Sequence, residues 1–177
     1  MGSVRRDHLF RHRGSDIFHR RIRAGLQFDD RGTQELYKQW FNEKGIEENR
    51  IIFESGSNYS AYFNFYNQID IALDPFPYNG GITTCDTLWM GVPIITLAGG
   101  RRVGMSLLHQ IGLSEFIAQD KKDYTDLALK LAQNIQKIRE LRQKIREKIL
   151  QSPICNGPLF AHEMETAYLQ IQEEWNR

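Results

Sequence analysis

The chain has 177 residues and a mass of 20.7 kDa, with 41% hydrophobic and 25% charged side chains, the composition of one ordinary globular domain and not of a disordered tail or a fibre. Its 23 basic and 22 acidic side chains leave a formal charge of +1, so there is no overall electrostatic case for nucleic acid as the partner. Cys85 and Cys155 have neither CxxC spacing nor a histidine cluster beside them, which argues against a zinc ribbon, any other metal site and a secreted disulfide scaffold, and fits reduced thiols in a cytoplasm.

Residues 1 to 31 hold eight arginines and three histidines against four aspartates. Segment 1–26 has no clean period and is predicted to be basic, solvated and poorly ordered, with a phosphate or nucleic-acid contact as the alternative. Its aspartates argue against an organelle transit peptide. No apolar stretch marks a secretory signal or reaches the ~20 residues that span a bilayer, so no membrane partner is expected. From 33 to 44, Leu36, Tyr37, Trp40 and Phe41 recur at helical spacing and Gly45 follows where a helix stops. Arg50-Ile51-Ile52-Phe53-Glu54 is a short β-branched run closed by a Ser/Gly turn, a buried strand. Ser57 or Asn58 can cap the next helix, 59–67.

Asp70-Ile71-Ala72-Leu73-Asp74 forms a second short strand, ended by Pro75 and Pro77. A helix at 85–90, stopped by Gly91, precedes a third strand at 92–97, and a further helix covers 103–110. Strands alternating with helices at this spacing predict an α/β fold with a parallel sheet covered on both faces. The last third is predicted to be helical. Tyr124, Leu127, Ala128, Leu131 and Ala132 begin an apolar stripe that Ile135, Ile138, Leu141, Ile145 and Ile149 continue. The opposite face, with Lys137, Arg139, Arg142, Lys144, Arg146 and Lys148, is expected to be solvated. Ser152-Pro153 breaks the helix, and 160–175 forms the last one.

The stretch most able to carry chemistry is 74–86, which joins the carboxyl end of a strand to the amino end of a helix. Ligands of open α/β sheets bind there: free N–H groups and the helix dipole favour an anion, and Gly80 and Gly81 let backbone approach a phosphate. Thr83 and Thr84 offer hydroxyls, and Asp86 can accept from sugar hydroxyls. Spacing alone also allows a plain turn, threonine caps and a dipole-stabilised first-turn carboxyl group. Neither GxGxxG nor GxxxxGK[ST] is present, so generic dinucleotide binding and ATP hydrolysis lose support. No convincing general base appears. His109 and His162 are expected as surface or satisfied histidines, and Cys85 as a small buried packing residue rather than a nucleophile.

The residues 70–80, Thr83-Thr84-Cys85-Asp86 and Leu88-Trp89-Met90-Gly91-Val92-Pro93 resemble the nucleotide-sugar-binding lobe of the O-GlcNAc transferase and SPINDLY-type glycosyltransferases. The resemblance extends, with less detail, from about Gln27 to the C-terminus through Ser106-Leu107-Leu108, Ile111-Gly112-Leu113, Tyr124 and Ser152-Pro153. It implies the second, Rossmann-like lobe of a GT-B fold over 27–177, and transfer of a sugar from a nucleotide donor to protein serine or threonine. UDP-linked N-acetylglucosamine is the first choice of donor; a GDP-linked sugar, fucose, is the alternative. By position, Gly80, Gly81, Thr83, Thr84 and Arg102 would hold the diphosphate and Asp86 the ribose, with no further cofactor. Ile82 replaces a third threonine of the family. Tyr59 and Tyr62 stand where some relatives have lysine and histidine near the nucleotide, and are expected as core residues, with stacking residues as the alternative.

The family's first lobe, with much of its catalytic machinery, and its tetratricopeptide repeats are not in the sequence, so a truncated relative is expected. The stretch 19–26 reads as too charged for the central strand the family has there. Catalysis would then need a separate chain carrying the first lobe, with a protein acceptor. The competing reading is a noncatalytic nucleotide-binding or protein-interaction remnant. Apolar surface left along the sheet edge predicts self-association.

Overall fold

The computed structural model describes residues 22–24 by their backbone, and residues 30–53, 58–99 and 101–176. Ile22–Ala24 is strand β1. Arg31–Asn42 is helix α1, begun by the Asp30 carboxyl group accepting from the Thr33 N–H at 2.6 Å and ended at Gly45, where φ is +78°. Ile51–Phe53 is β2 and Tyr59–Tyr66 is α2. Of the two predicted caps, Asn58 does the work, accepting from the Ala61 N–H at 3.0 Å. Ser57 lies outside the described residues.

Ala72–Leu73 (β3), Ile82–Trp89 (α3), Ile94–Leu97 (β4), Val103–Gln110 (α4) and Ile117–Ala118 (β5) alternate as the hydrophobic pattern predicts. All strand pairs are parallel. β4 is central, with Ala72 opposite Ile94 on one side and Thr96 opposite Ile117 on the other, while β1 pairs separately with β2. Burial concentrates where the crossovers meet the sheet: Leu88, Val92, Ile95, Leu108 and Ile145 are fully enclosed, each contributing roughly 1.5–3 kcal/mol over an exposed position.

Two expectations change here. β1 lies inside the stretch judged too charged for a central strand, and among the described residues it pairs with β2 alone. The apolar stripe of 124–149 is two helices, Lys121–Ala132 (α5) and Ile135–Leu150 (α6), because Asn134 leaves the helical conformation and caps α6 by accepting from the Lys137 N–H at 2.9 Å.

Helix α6 lies against α3 at a point only a glycine allows. Gly91 has φ +74°, and a Cβ there would stand 2.7 Å from the Arg142 carbonyl oxygen. The basic face is mostly exposed as expected, with two exceptions. Arg142 turns its guanidinium to the carbonyls of Tyr66, the last residue of α2, and of Ile69 just after it, and Lys148 donates to the Ile111 carbonyl at 3.4 Å.

Gly157–Trp175 is α7, with no buried residue. Phe160, Met164, Tyr168, Ile171 and Trp175 follow at steps of three or four, one apolar stripe along the helix. Four of these are well exposed, Trp175 at 89%. Most exposed large apolar side chains of the last third are thus on α7. At the β3 edge of the sheet, where apolar exposure was expected, Leu73 is the exposed one.

Candidate functional site

The carboxyl end of the parallel sheet is organised by one buried acidic side chain. Asp74, 1% exposed, follows β3. Its Oδ1 accepts from the Gly80 N–H at 2.8 Å, and its Oδ2 from Asn79 Nδ2 at 2.8 Å and from Thr96 Oγ1 at 2.7 Å. Asn79 Nδ2 also donates to Thr96 Oγ1 at 3.1 Å. The Asp74 backbone is held from both sides as well: its N–H donates to Ile95 O at 2.9 Å, and the Tyr124 hydroxyl donates to its carbonyl at 2.9 Å. Burial, with Asp74 nearby, raises the Tyr124 phenol above its ordinary range, so it stays a donor. Three residues distant in sequence, Ile95, Thr96 and Tyr124, thereby hold Asp74, which in turn anchors residues 75–81, including a cis Phe76-Pro77 bond, through Asn79 and Gly80.

Closeness makes the glycines obligatory. A Cβ on Gly80 would stand 2.6 Å from Thr84 Oγ1 and 2.7 Å from Thr83 Oγ1; one on Gly104, in α4, would stand 2.5 Å from Asp74 Oδ2 and 2.6 Å from Thr96 Oγ1. The Gly80 backbone thus lies directly on the two threonine hydroxyls. Helix α3 starts from Gly81, which supplies no side-chain cap, and α4 starts from Arg102, which supplies none either. Capping by Thr83 and Thr84 is therefore not what these residues do. Both uncapped N-termini follow strands of the same sheet, an arrangement with spare N–H groups for an anion.

The predicted residues come together in part. Gly80, Gly81, Thr83 and Thr84 form one turn, with Thr83 exposed and Thr84 buried. Asp86 lies on the next turn of α3, where its Oδ2 accepts from the Tyr62 hydroxyl at 2.8 Å, and the Tyr62 and Tyr66 hydroxyls are 2.7 Å apart. Burial first, then the bonds to Tyr66 and Asp86, hold the Tyr62 phenol above its usual range. Tyr62 is thus a half-buried partner of Asp86, and Tyr59, 80% exposed, is not a core residue; both instead meet the Phe63 ring edge-on, with centroids 5.1 Å away. Arg102, at the start of α4, lines a cavity of about 500 Å³ with Met105, Ser106, His109 and Gln110. The neighbouring Arg101 packs on the Tyr78 ring at 3.6 Å, tying the 75–81 loop to the loop before α4.

Cys85 is exposed, against its expected packing role. His109 Nδ1 lies 2.8 Å from Ser114 Oγ, and His162 is on exposed α7. Among the described residues no three His, Cys, Asp or Glu side chains gather as a metal site, and no helix is long and apolar enough to cross a membrane.

A parallel sheet whose carboxyl end presents a pinned glycine turn and two uncapped helices is the architecture of a Rossmann-like lobe of GT-B glycosyltransferases. The chain belongs to glycosyl transferase family 41, whose model matches residues 21–164. It is 43% identical over 115 residues to the probable UDP-N-acetylglucosamine–peptide N-acetylglucosaminyltransferase SPINDLY of Hordeum vulgare, covering 63% of this chain and 12% of that relative. The Arabidopsis thaliana SPINDLY is 41% identical over 113 residues, 62% of this chain and 12% of the relative. A solved structure of a mutant O-GlcNAc transferase from Thermobaculum terrenum superposes with a TM-score of 0.76 at 31% identity, covering 84% of this chain and 29% of that one. The chain spans about an eighth of the SPINDLY relatives it matches.

Proposed function

We propose that this chain binds the nucleotide-sugar donor for a protein O-glycosyltransferase that moves N-acetylglucosamine from UDP-GlcNAc to serine or threonine. The observation that carries the reading is the turn built on Asp74: it holds the Gly80 backbone against Thr83 and Thr84 at the uncapped start of α3. N–H groups and hydroxyls fixed in this way stabilise the departing diphosphate without reorganising, the main electrostatic demand of the reaction. Asp86, oriented through Oδ2 by Tyr62, offers its other oxygen to the ribose. The acceptor protein and the first lobe belong to the rest of such an enzyme, in another part of the polypeptide or a separate chain. Free thiols at Cys85 and Cys155 support a reducing, cytoplasmic setting.

A noncatalytic nucleotide-binding role is the second reading. It is favoured by Ile82, 81% exposed where the family carries a third threonine. Isothermal titration with UDP, GDP and their sugar conjugates tests the donor role common to both, and the first reading expects saturable binding of UDP and UDP-GlcNAc. A folded chain that binds neither nucleotide refutes it. Asp86→Ala is expected to weaken UDP binding by about 1–3 kcal/mol while the Tyr62–Tyr66 hydroxyl pair persists; unchanged calorimetric affinity removes Asp86 from the ribose site.

A further inference from the structure

Two thiols far apart in sequence meet at one cavity. A space of about 370 Å³ opens beside α3, bounded by Phe63, Trp89, Leu107, Ile149 and Ile154, and both Cys85 and Cys155 line it. Both are free and exposed, so a soluble reagent reaches them. Their supports differ in stiffness. Cys85 lies in the middle of α3, whose neighbouring Thr84, Thr87 and Leu88 are buried. Cys155 ends the 3₁₀ turn Pro153–Cys155, which buries no residue and leads into α7, which buries none either. Moving Cys155 across the cavity therefore disrupts little core packing, whereas any pull on Cys85 is transmitted to the helix that carries Thr84 and Asp86.

We infer that this cavity is a thiol–disulfide exchange site, at which a low-molecular-weight disulfide joins Cys85 to Cys155 and the closed bridge displaces the α3 turn. The Cys155 thiolate attacks one sulfur of the small disulfide RSSR, forms a mixed disulfide and expels RS⁻, which takes up a proton. Cys85 then gives its proton to solvent and attacks Cys155 Sγ, and a second RS⁻ leaves and is protonated. Two protein thiols and one RSSR become one protein disulfide and two RSH, and the electrons balance with no other oxidant. The order of attack follows from the supports: Cys155 ends a turn that buries no residue and can move toward the small disulfide, whereas Cys85 is fixed in the middle of α3. The bridge itself is independent of function, but its effect on ligand affinity rests on the nucleotide-binding reading.

The test uses the full chain incubated with oxidised glutathione, then alkylated and weighed intact. The expected product is a monomer with both thiols gone and no glutathione retained, while Cys85→Ser and Cys155→Ser each keep one glutathione. Wild-type chain that keeps two glutathiones, remains unreacted or crosslinks to a second copy overturns the inference. UDP titration of the oxidised and reduced forms then reads the coupling, expected as a roughly five- to tenfold loss of affinity on oxidation. Equal affinities overturn the coupling. A bridge that forms in a chain binding UDP in neither state refutes the nucleotide reading and leaves the thiol site standing.

Discussion

Asp74→Ala is expected to destabilise the fold by roughly 3–5 kcal/mol, lowering the melting temperature by about 10 °C or more in a chain of this size. The cause is the donors left behind. Truncation strands the Gly80 N–H and the Thr96 hydroxyl and leaves Asn79 Nδ2 only its bond to Thr96 Oγ1, where all three now converge on one carboxyl group, and a buried donor without a partner costs about 1–3 kcal/mol. Loop 75–81 also loses its anchor, so UDP binding should fall more than the stability loss alone explains when measured well below the melting temperature. Asp74→Asn keeps the shape and one acceptor oxygen but turns an NH₂ toward a donor, and is expected to fall between the two. Calorimetric melting of Asp74→Ala indistinguishable from the parent would show that the network contributes nothing net.

Gly104→Ala carries the second large effect, and its sign is the informative part. Inside a helix this substitution ordinarily stabilises by up to about 1 kcal/mol. Here the added methyl would enter the Asp74–Thr96 contact at 2.5 and 2.6 Å. Neither atom can retreat, since both are tied into the same hydrogen bonds, so α4 must move off β4. A loss of about 1–3 kcal/mol is expected from denaturant unfolding. Gly157→Ala, at the start of α7 with nothing within 4 Å of its Cβ, is the matched control and should be neutral or stabilising. Two variants of equal stability would mean that the α4–β4 contact is soft.

Residues whose partners are local were legible in the sequence. Gly45 and Gly91 stop helices where the pattern places them, Asn58 caps α2, and the β-branched run Ile94, Ile95 and Thr96 is buried as such a run requires. Features that depend on distant partners were not. Asp74 and Asn79 were visible as part of a motif, but their joint role depends on Thr96, 22 residues from Asp74, and on Tyr124, 50 residues from it. Tyr62 gave no signal of its pairing with Asp86, 24 residues on. Ile117–Ala118 is too short for a period of two to register. The α5–α6 break was hidden because Ala132 to Ile135 is itself a step of three, so the stripe runs through a junction that only Asn134 marks. The Arg102 assignment came from the resemblance and not from the spacing of residues.

Helix α7 gives the molecule two tiers of cooperativity. It is nineteen residues long, carries its cap at Asn156 and buries nothing, so releasing it exposes almost no new apolar surface and costs little beyond its own backbone hydrogen bonds. Amides of β4 and the buried turns of α3 and α6 exchange with solvent only on global unfolding, whereas those of α7 exchange through a local opening. Protease cleavage should therefore begin after Asn156 and follow the population of that open helix, largely insensitive to substitutions at Asp74 or Gly104.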